Sequence, residues 1–204
     1  MKARAAKTGD NALFPCLSFS RGEYPNLRLY LMGHSFGGVL VLAAANKGGD
    51  FATLVLTQAA FSQNAFAATV ADDDSRPGRF RAVAAKENIK GPIAITYTLN
   101  DEALTDYYAF ASWLKGDVGA KERLLPVPDK FGAIGANGAK RIPGKVSSGV
   151  LSTEDNYTFA DRTMHKVHNL NADETIKNHN DVWDNKHVAD LLVKLMRSTW
   201  LDFD

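Results

Sequence analysis

Leu27-Arg28-Leu29-Tyr30-Leu31-Met32-Gly33-His34-Ser35-Phe36-Gly37-Gly38 decides how this chain is read. Leu27 to Met32 is a short, β-leaning apolar run that stops at Gly33. From Phe36 the period changes. Phe36, Val39, Leu40, Ala43, Ala44 and Lys47 follow the spacing of one helix face, and Gly48-Gly49 ends it. The stretch is therefore a strand, a tight turn and a helix, with Ser35 at the turn. A further run, Ala52 to Thr57, is almost wholly apolar, as a strand covered on both faces must be. Ile93 to Thr98 follows Gly91-Pro92, and Val167 to Ala172 is a weaker fourth strand. Val188, Leu191, Leu192, Leu195 and Met196 stripe a last helix. Strands alternating with helices predict an α/β domain spanning 1–204, a mostly parallel sheet of about four strands with helices on both faces.

Gly33-His34-Ser35-Phe36-Gly37 is a G-x-S-x-G pattern between a strand and a helix, the context that gives it chemical weight. Glycines two before and two after the serine leave room in a strained turn, and the hydroxyl projects above the sheet edge. The helix N-terminus favours negative charge there, so the Phe36 N–H is the expected oxyanion donor. A plain glycine-rich connection with a serine N-cap is the alternative. A serine needs a base, and the base an orienting acid. In sites of this type the chain order is serine, acid, histidine. Asp101 closely follows the third strand and fits the acid, with Glu102 as its neighbouring substitute, although such a residue also starts helices or turns. Of five histidines, His179 lies between the last strand and the last helix, at the sheet edge that carries Ser35 and Asp101. It is the expected base, with His168 next. His34 is expected to shape the turn or a pocket wall. His165 and His168 lie three apart near a strand, a poor spacing for a shared metal. His187 reads as a surface or packing residue. No cofactor or metal is expected.

Composition sets the frame. The chain has 204 residues, 45% hydrophobic and 23% charged, which excludes wholesale disorder. Lys plus Arg is 24 and Asp plus Glu is 23, a net charge of +1 that excludes binding nucleic acid through bulk charge. A single cysteine, Cys16, excludes an internal disulfide. Apolar runs such as Val39 to Ala45 fall short of the roughly 18 residues of a membrane span. Met1 to Lys7 is basic, but Gly9-Asp10-Asn11 interrupts it and Pro15 breaks the next apolar patch, so a cytoplasmic protein without signal peptide is expected. Ala71 to Gly78 is an acidic loop. Gly116 to Gly149, with seven glycines and three prolines, reads as a long loop.

At Leu29 to Gly38, Thr98-Leu99-Asn100-Asp101, and His179-Asn180-Asp181-Val182-Trp183 with Val188 to Leu192, the chain resembles the α/β-hydrolase superfamily, from about Asp10 onward. Leu56 to Phe61 and Phe131 to Gly138 are similar to poorly characterised bacterial members. The resemblance implies an elbow strand, an acid turn and a histidine loop. It also implies a Ser35–His179–Asp101 serine hydrolase acting on a small-molecule acyl ester or thioester. Only 34 residues precede Ser35. Relative to the family the chain therefore matches a C-terminal portion, without the loop that supplies a second oxyanion N–H. The rival expectation is a non-catalytic fragment or interaction module. An acyltransferase on the same scaffold is a third. The elbow strand would then lie at a sheet edge, covered by Leu13 to Ser20 as a helix started by Pro15, or free to self-associate. Phe61, Phe66, Tyr107, Tyr108 and Trp113 are the aromatic candidates for a substrate pocket.

Overall fold

The computed structural model describes residues 1–71, 75–85, 88–108, 131–144, 146–155, 157, 159 and 166–200. Five strands form one sheet: β1 (Tyr30–His34), β2 (Thr53–Thr57), β3 (Ile93–Tyr97), β4 (Val146–Val150) and β5 (Val167–Asn171). Their order is β1-β2-β3-β5-β4, and every pairing is parallel. Parallel neighbours need crossover connections. α1 (Lys2–Thr8), a π-helical turn (Gly9–Leu13) and α2 (Phe14–Glu23) form an N-terminal helical arm; α3 (Gly37–Lys47) follows β1. α4 (Arg81–Ala85), a second π-helical turn (Ala103–Tyr108), α5 (Ile134–Asn137) and α6 (Lys186–Ser198) are the other helical segments among the described residues.

Alternation along the central strands sorts the core into two layers. Leu54, Leu56, Ile93, Ile95 and Val167 pack with Val39 and Leu42 of α3. Val55, Ala94 and Leu170 pack with Val188, Leu191 and Leu195 of α6 on the other face. All five residues of β2 are buried, which explains its continuous apolar run. α3 is buried on more sides than one apolar stripe implies, from Gly38 through Ala45 except Leu40. The reason is the N-terminal arm, which lies against it. Gly9 permits that crossing, because a Cβ there would sit 2.2 Å from the Leu40 carbonyl oxygen. Lys47, placed on the expected face by spacing, is exposed.

Three expectations need correction. The sheet has five strands rather than about four, and it is wholly parallel. The short helix α5 lies inside the stretch Gly116 to Gly149 read as a loop, and the extra strand, β4, begins in it; residues 116–130 and 145 of that stretch lie outside the described residues. β4 reads Val-Ser-Ser-Gly-Val and is an edge strand of half-buried and exposed residues, so it needs no apolar run. The first strand sits later than Leu27 to Met32 and ends at His34.

β1 is the opposite edge. Leu29 O accepts from Ala52 N at 2.8 Å and Ser35 N donates to Thr57 O at 3.3 Å, so alternate residues from Leu29 face β2. The backbone groups of Tyr30, Met32 and His34 face the other way, where no described strand pairs. Pro15 does start α2, within its first two positions, but no residue of α2 is buried. Among the described residues no helix is long and apolar enough to cross a membrane.

Candidate active site

The turn after β1 holds Ser35 at φ 54°, in the left-handed region that a non-glycine residue seldom enters. Three backbone hydrogen bonds fix it there. Ser35 N donates to Thr57 O, and Ser35 O accepts from Gly38 N at 3.2 Å and from Ala60 N at 3.0 Å. Strain of this kind persists only where the surroundings over-determine it. Gly33 is required by space: a Cβ there would meet Gly38 Cα at 2.6 Å and Gly37 O at 2.8 Å. The second crowded glycine is Gly38, whose Cβ would meet Phe61 at 2.9 Å and Ala59 at 3.0 Å. Gly37, to which the motif assigns that role, has open space around it. The motif spacing thus marks the wrong glycine of the pair, because the close approach comes from Phe61 and Ala59 one residue later.

Asp101 follows β3 and is fully buried. Its two carboxylate oxygens divide the work. Oδ1 accepts from Leu104 N at 3.2 Å and caps the helical turn that comes next, while Oδ2 lies 2.6 Å from Nδ1 of His179. Both sequence readings of Asp101, turn starter and histidine partner, thus describe the same side chain. Glu102 is exposed. A carboxylate only accepts here, so His179 Nδ1 carries the proton and Nε2 is left as an acceptor. Ser35 Oγ lies 2.9 Å from that Nε2 and donates to it. His179 is a quarter exposed, open to a reactant on one side.

The loop carrying His179 is held by short polar links. Lys177 N donates to Asp181 Oδ2 at 2.8 Å, and Asn180 N donates to Asn178 Oδ1 at 3.0 Å. Val182 anchors the loop in the core. Asn185 caps α6 through Oδ1 and donates from Nδ2 to Thr175 O at 2.7 Å.

Asp173, which the sequence did not single out, ties this loop to the one bearing Asp101. Its Oδ1 accepts from Thr98 Oγ1 and Leu99 N, each at 2.8 Å. Asn100 Nδ2 donates to the carbonyls of Asp173 and Ile176, both at 2.8 Å. Burial works to raise the Asp173 pKa, but the hydrogen bonds from Asn171, Leu99 and Thr98, with Lys177 nearby, outweigh it and leave the pKa lowered. An Asx-type signal was present in Asn171-Ala172-Asp173, since Asp173 N donates back to Asn171 Oδ1 at 2.9 Å.

His34 forms a wall of the site. Its ring stands 4.7 Å from that of His179, and Trp183, itself largely exposed, meets it edge-on at 5.3 Å. Nδ1 donates to Thr57 O at 3.0 Å. Burial first, then the neighbouring His179, lowers the His34 pKa, which favours a neutral ring. Phe36 packs against Ala60, Leu104, Ala133 and Ala136, so α5 buttresses the turn from behind. The Phe36 N–H, at the head of α3, donates to none of the described residues.

The remaining histidines are elsewhere. His168 is buried on β5, with Nδ1 2.6 Å from Ser147 Oγ and its ring edge-on to Phe159. It takes no part in the Ser35 cluster, because its side chain sits within the sheet layer below the loops. His187 Nδ1 accepts from Thr153 N at 3.2 Å. His165 and Trp113 lie outside the described residues, as do the side chains of Tyr107 and Tyr108. Phe61 and Phe66 are core residues. Among the described residues no group of three or more His, Cys, Asp or Glu is placed to hold a metal ion.

A serine, a histidine and a buried carboxylate in one hydrogen-bonded line can pass the serine proton to the imidazole and stabilise the resulting imidazolium. Comparison of the chain with family models, with curated proteins and with solved structures returns no match.

Proposed function

We propose that the protein is a serine hydrolase of the α/β-hydrolase type that cleaves an ester or thioester. The observation that carries the reading is the pair of hydrogen bonds linking Ser35, His179 and Asp101, at 2.9 and 2.6 Å. Ser35 Oγ attacks the acyl carbon and its proton passes to His179 Nε2. The C–O or C–S bond of the substrate then breaks, and His179 returns the proton to the departing alkoxide or thiolate. Water attacks the acyl-enzyme, again losing a proton to His179, and the acid leaves with Ser35 restored. Asp101 stays ionised and balances the imidazolium. The Phe36 N–H and the start of α3 face the negative oxygen that develops. No cofactor enters this scheme.

The test is reaction with a fluorophosphonate probe, which requires an activated serine. The wild-type chain labels and Ser35→Ala does not. Labelling that persists in Ser35→Ala assigns the reaction to another residue and ends the proposal.

The outer edge of β1 favours a second reading, an interaction module. Tyr30, Met32 and His34 present backbone groups that no described strand pairs, on a strand without lysine or proline. Self-association through this edge gives a mass that rises with concentration in sedimentation. A monomer across the concentration range, together with probe labelling, decides for the hydrolase alone.

A further inference from the structure

A cavity of about 250 Å³ lies between the start of the N-terminal arm, α3 and the segment joining β2 to α4. None of Ser35, Asp101 or His179 lines it. Its walls are apolar, built chiefly from Val39, Val70 and the rings of Phe61 and Phe80. Those two rings meet edge-on at 6.0 Å. An apolar cavity of roughly 150 Å³ is enough for benzene, so this one has room for a single ring with substituents.

Two further features give the cavity polarity. Lys2 and Arg79 both line it, Arg79 from an exposed position. Asn64 also lines it, only 2% exposed, and its side-chain Oδ1 has no hydrogen-bond partner. A buried acceptor without a donor is costly, and a bound O–H or N–H would relieve it.

We infer that this cavity binds a monocyclic aromatic carboxylate bearing a hydroxyl group. The ring lies against Phe61 and Phe80, the carboxylate faces Arg79 and Lys2, and the hydroxyl donates to Asn64 Oδ1. Each end of the ligand answers a different feature of the wall. A purely apolar ligand leaves Asn64 unpaired, and a small inorganic anion leaves the aromatic walls unfilled.

The probe is 4-hydroxybenzoate, titrated into the full chain carrying Ser35→Ala so that turnover does not enter, and followed by methyl NMR. Saturable shifts are expected at Val39, Ala65 and Val70 and not at Val182 beside the Ser35 cluster. Benzoate, without the hydroxyl, and 4-hydroxybenzyl alcohol, without the charge, are each expected to bind about tenfold more weakly. Arg79→Gln removes an exposed charge that lies 5.3 Å over the Phe80 ring. It is expected to weaken 4-hydroxybenzoate about three- to tenfold and to leave the uncharged alcohol unchanged. Asn64→Leu is expected to erase the preference for 4-hydroxybenzoate over benzoate. Absence of saturable shifts at millimolar probe overturns the site. Shifts centred on Val182 overturn its location, and equal binding of the charged and uncharged compounds overturns the anionic assignment. The readout is binding, so failure of the hydrolase reading leaves this result standing, and the reverse holds as well.

Discussion

Alanine placed at each glycine of the Ser35 turn separates crowding from motif. Gly33 and Gly37 are the two glycines of G-x-S-x-G, yet their surroundings are opposite. A Cβ on Gly33 would lie 2.6 Å from Gly38 Cα, 2.8 Å from Gly37 O and 2.8 Å from Gly38 N. All three are backbone atoms of the same turn, so no side chain can swing aside. Forcing an extra carbon into a packed site typically costs about 1–3 kcal/mol and occasionally more, and here the upper part of that range applies. A Cβ on Gly37 meets nothing within 4 Å, and Gly37 is the first residue of α3. Gly37→Ala removes backbone freedom from the unfolded chain and is expected to stabilise by about 0.4–1 kcal/mol. The two variants should therefore differ by about 3 kcal/mol or more, which for a chain of this size is roughly 10 °C in Tm. Urea unfolding followed by far-UV circular dichroism measures the difference. Gly33→Ala and Gly37→Ala lying within about 0.5 kcal/mol of one another would refute the account of the turn.

The same contacts carry further expectations. His179→Gln and Asp101→Asn are each expected to lower hydrolysis of an activated ester by about 10³-fold or more, while His187→Gln leaves the rate unchanged, read from initial rates. Asp173→Ala removes the acceptor shared by Thr98 and Leu99, so hydrogen exchange at the Leu99 amide should accelerate and stability should fall by about 1–2 kcal/mol. The folded pKa of His34 lies below its unfolded value near 6.5, so the unfolded state binds the proton first as pH falls. Stability from this group is complete above about pH 6.5 and is lost as pH drops towards the folded pKa. Chemical unfolding at pH 7.5 and 5.5 should show a smaller acid loss in His34→Gln than in wild type. On β1, the amides of Tyr30, Met32 and His34 should exchange faster than those of Leu31 and Gly33, a contrast that amide-resolved exchange detects and that pairing through the outer edge would abolish.

The central strands and α6 were legible because their burial is written as hydrophobic pattern. β2 is buried throughout and reads as a solid apolar run, and α6 shows one clear stripe. Ser35, Asp101 and His179 were legible because each closes a loop at the exit of a parallel strand, and turn chemistry marks those exits. What escaped was structure whose support is polar or small. β4 carries serines and glycine at an edge, and α5 is four residues whose Gly135 lies where a Cβ would be 2.4 Å from Ala59 N. Neither has a periodic signal to detect. The clamp made by Asp173 is a matter of tertiary hydrogen bonds, and one sequence does not show which loops will meet. The crowding at Gly38 rather than Gly37 depends on where Phe61 packs, which spacing cannot reveal.

The hydrogen bonds of the Ser35 cluster join residues far apart in the chain, His179 to Asp101 across 78 positions and His179 to Ser35 across 144. Contacts of such separation form late, after the entropy of closing the loops between them has been overcome. The three side chains are brought into line only when β1, β3 and the loop after β5 share one sheet. A half-folded chain that has formed only β1 and α3 holds Ser35 without His179 beside it. On the proposed mechanism, reactivity at Ser35 followed during refolding therefore acts as a clock for completion of the sheet, with a lag that circular dichroism of the helices alone would not display.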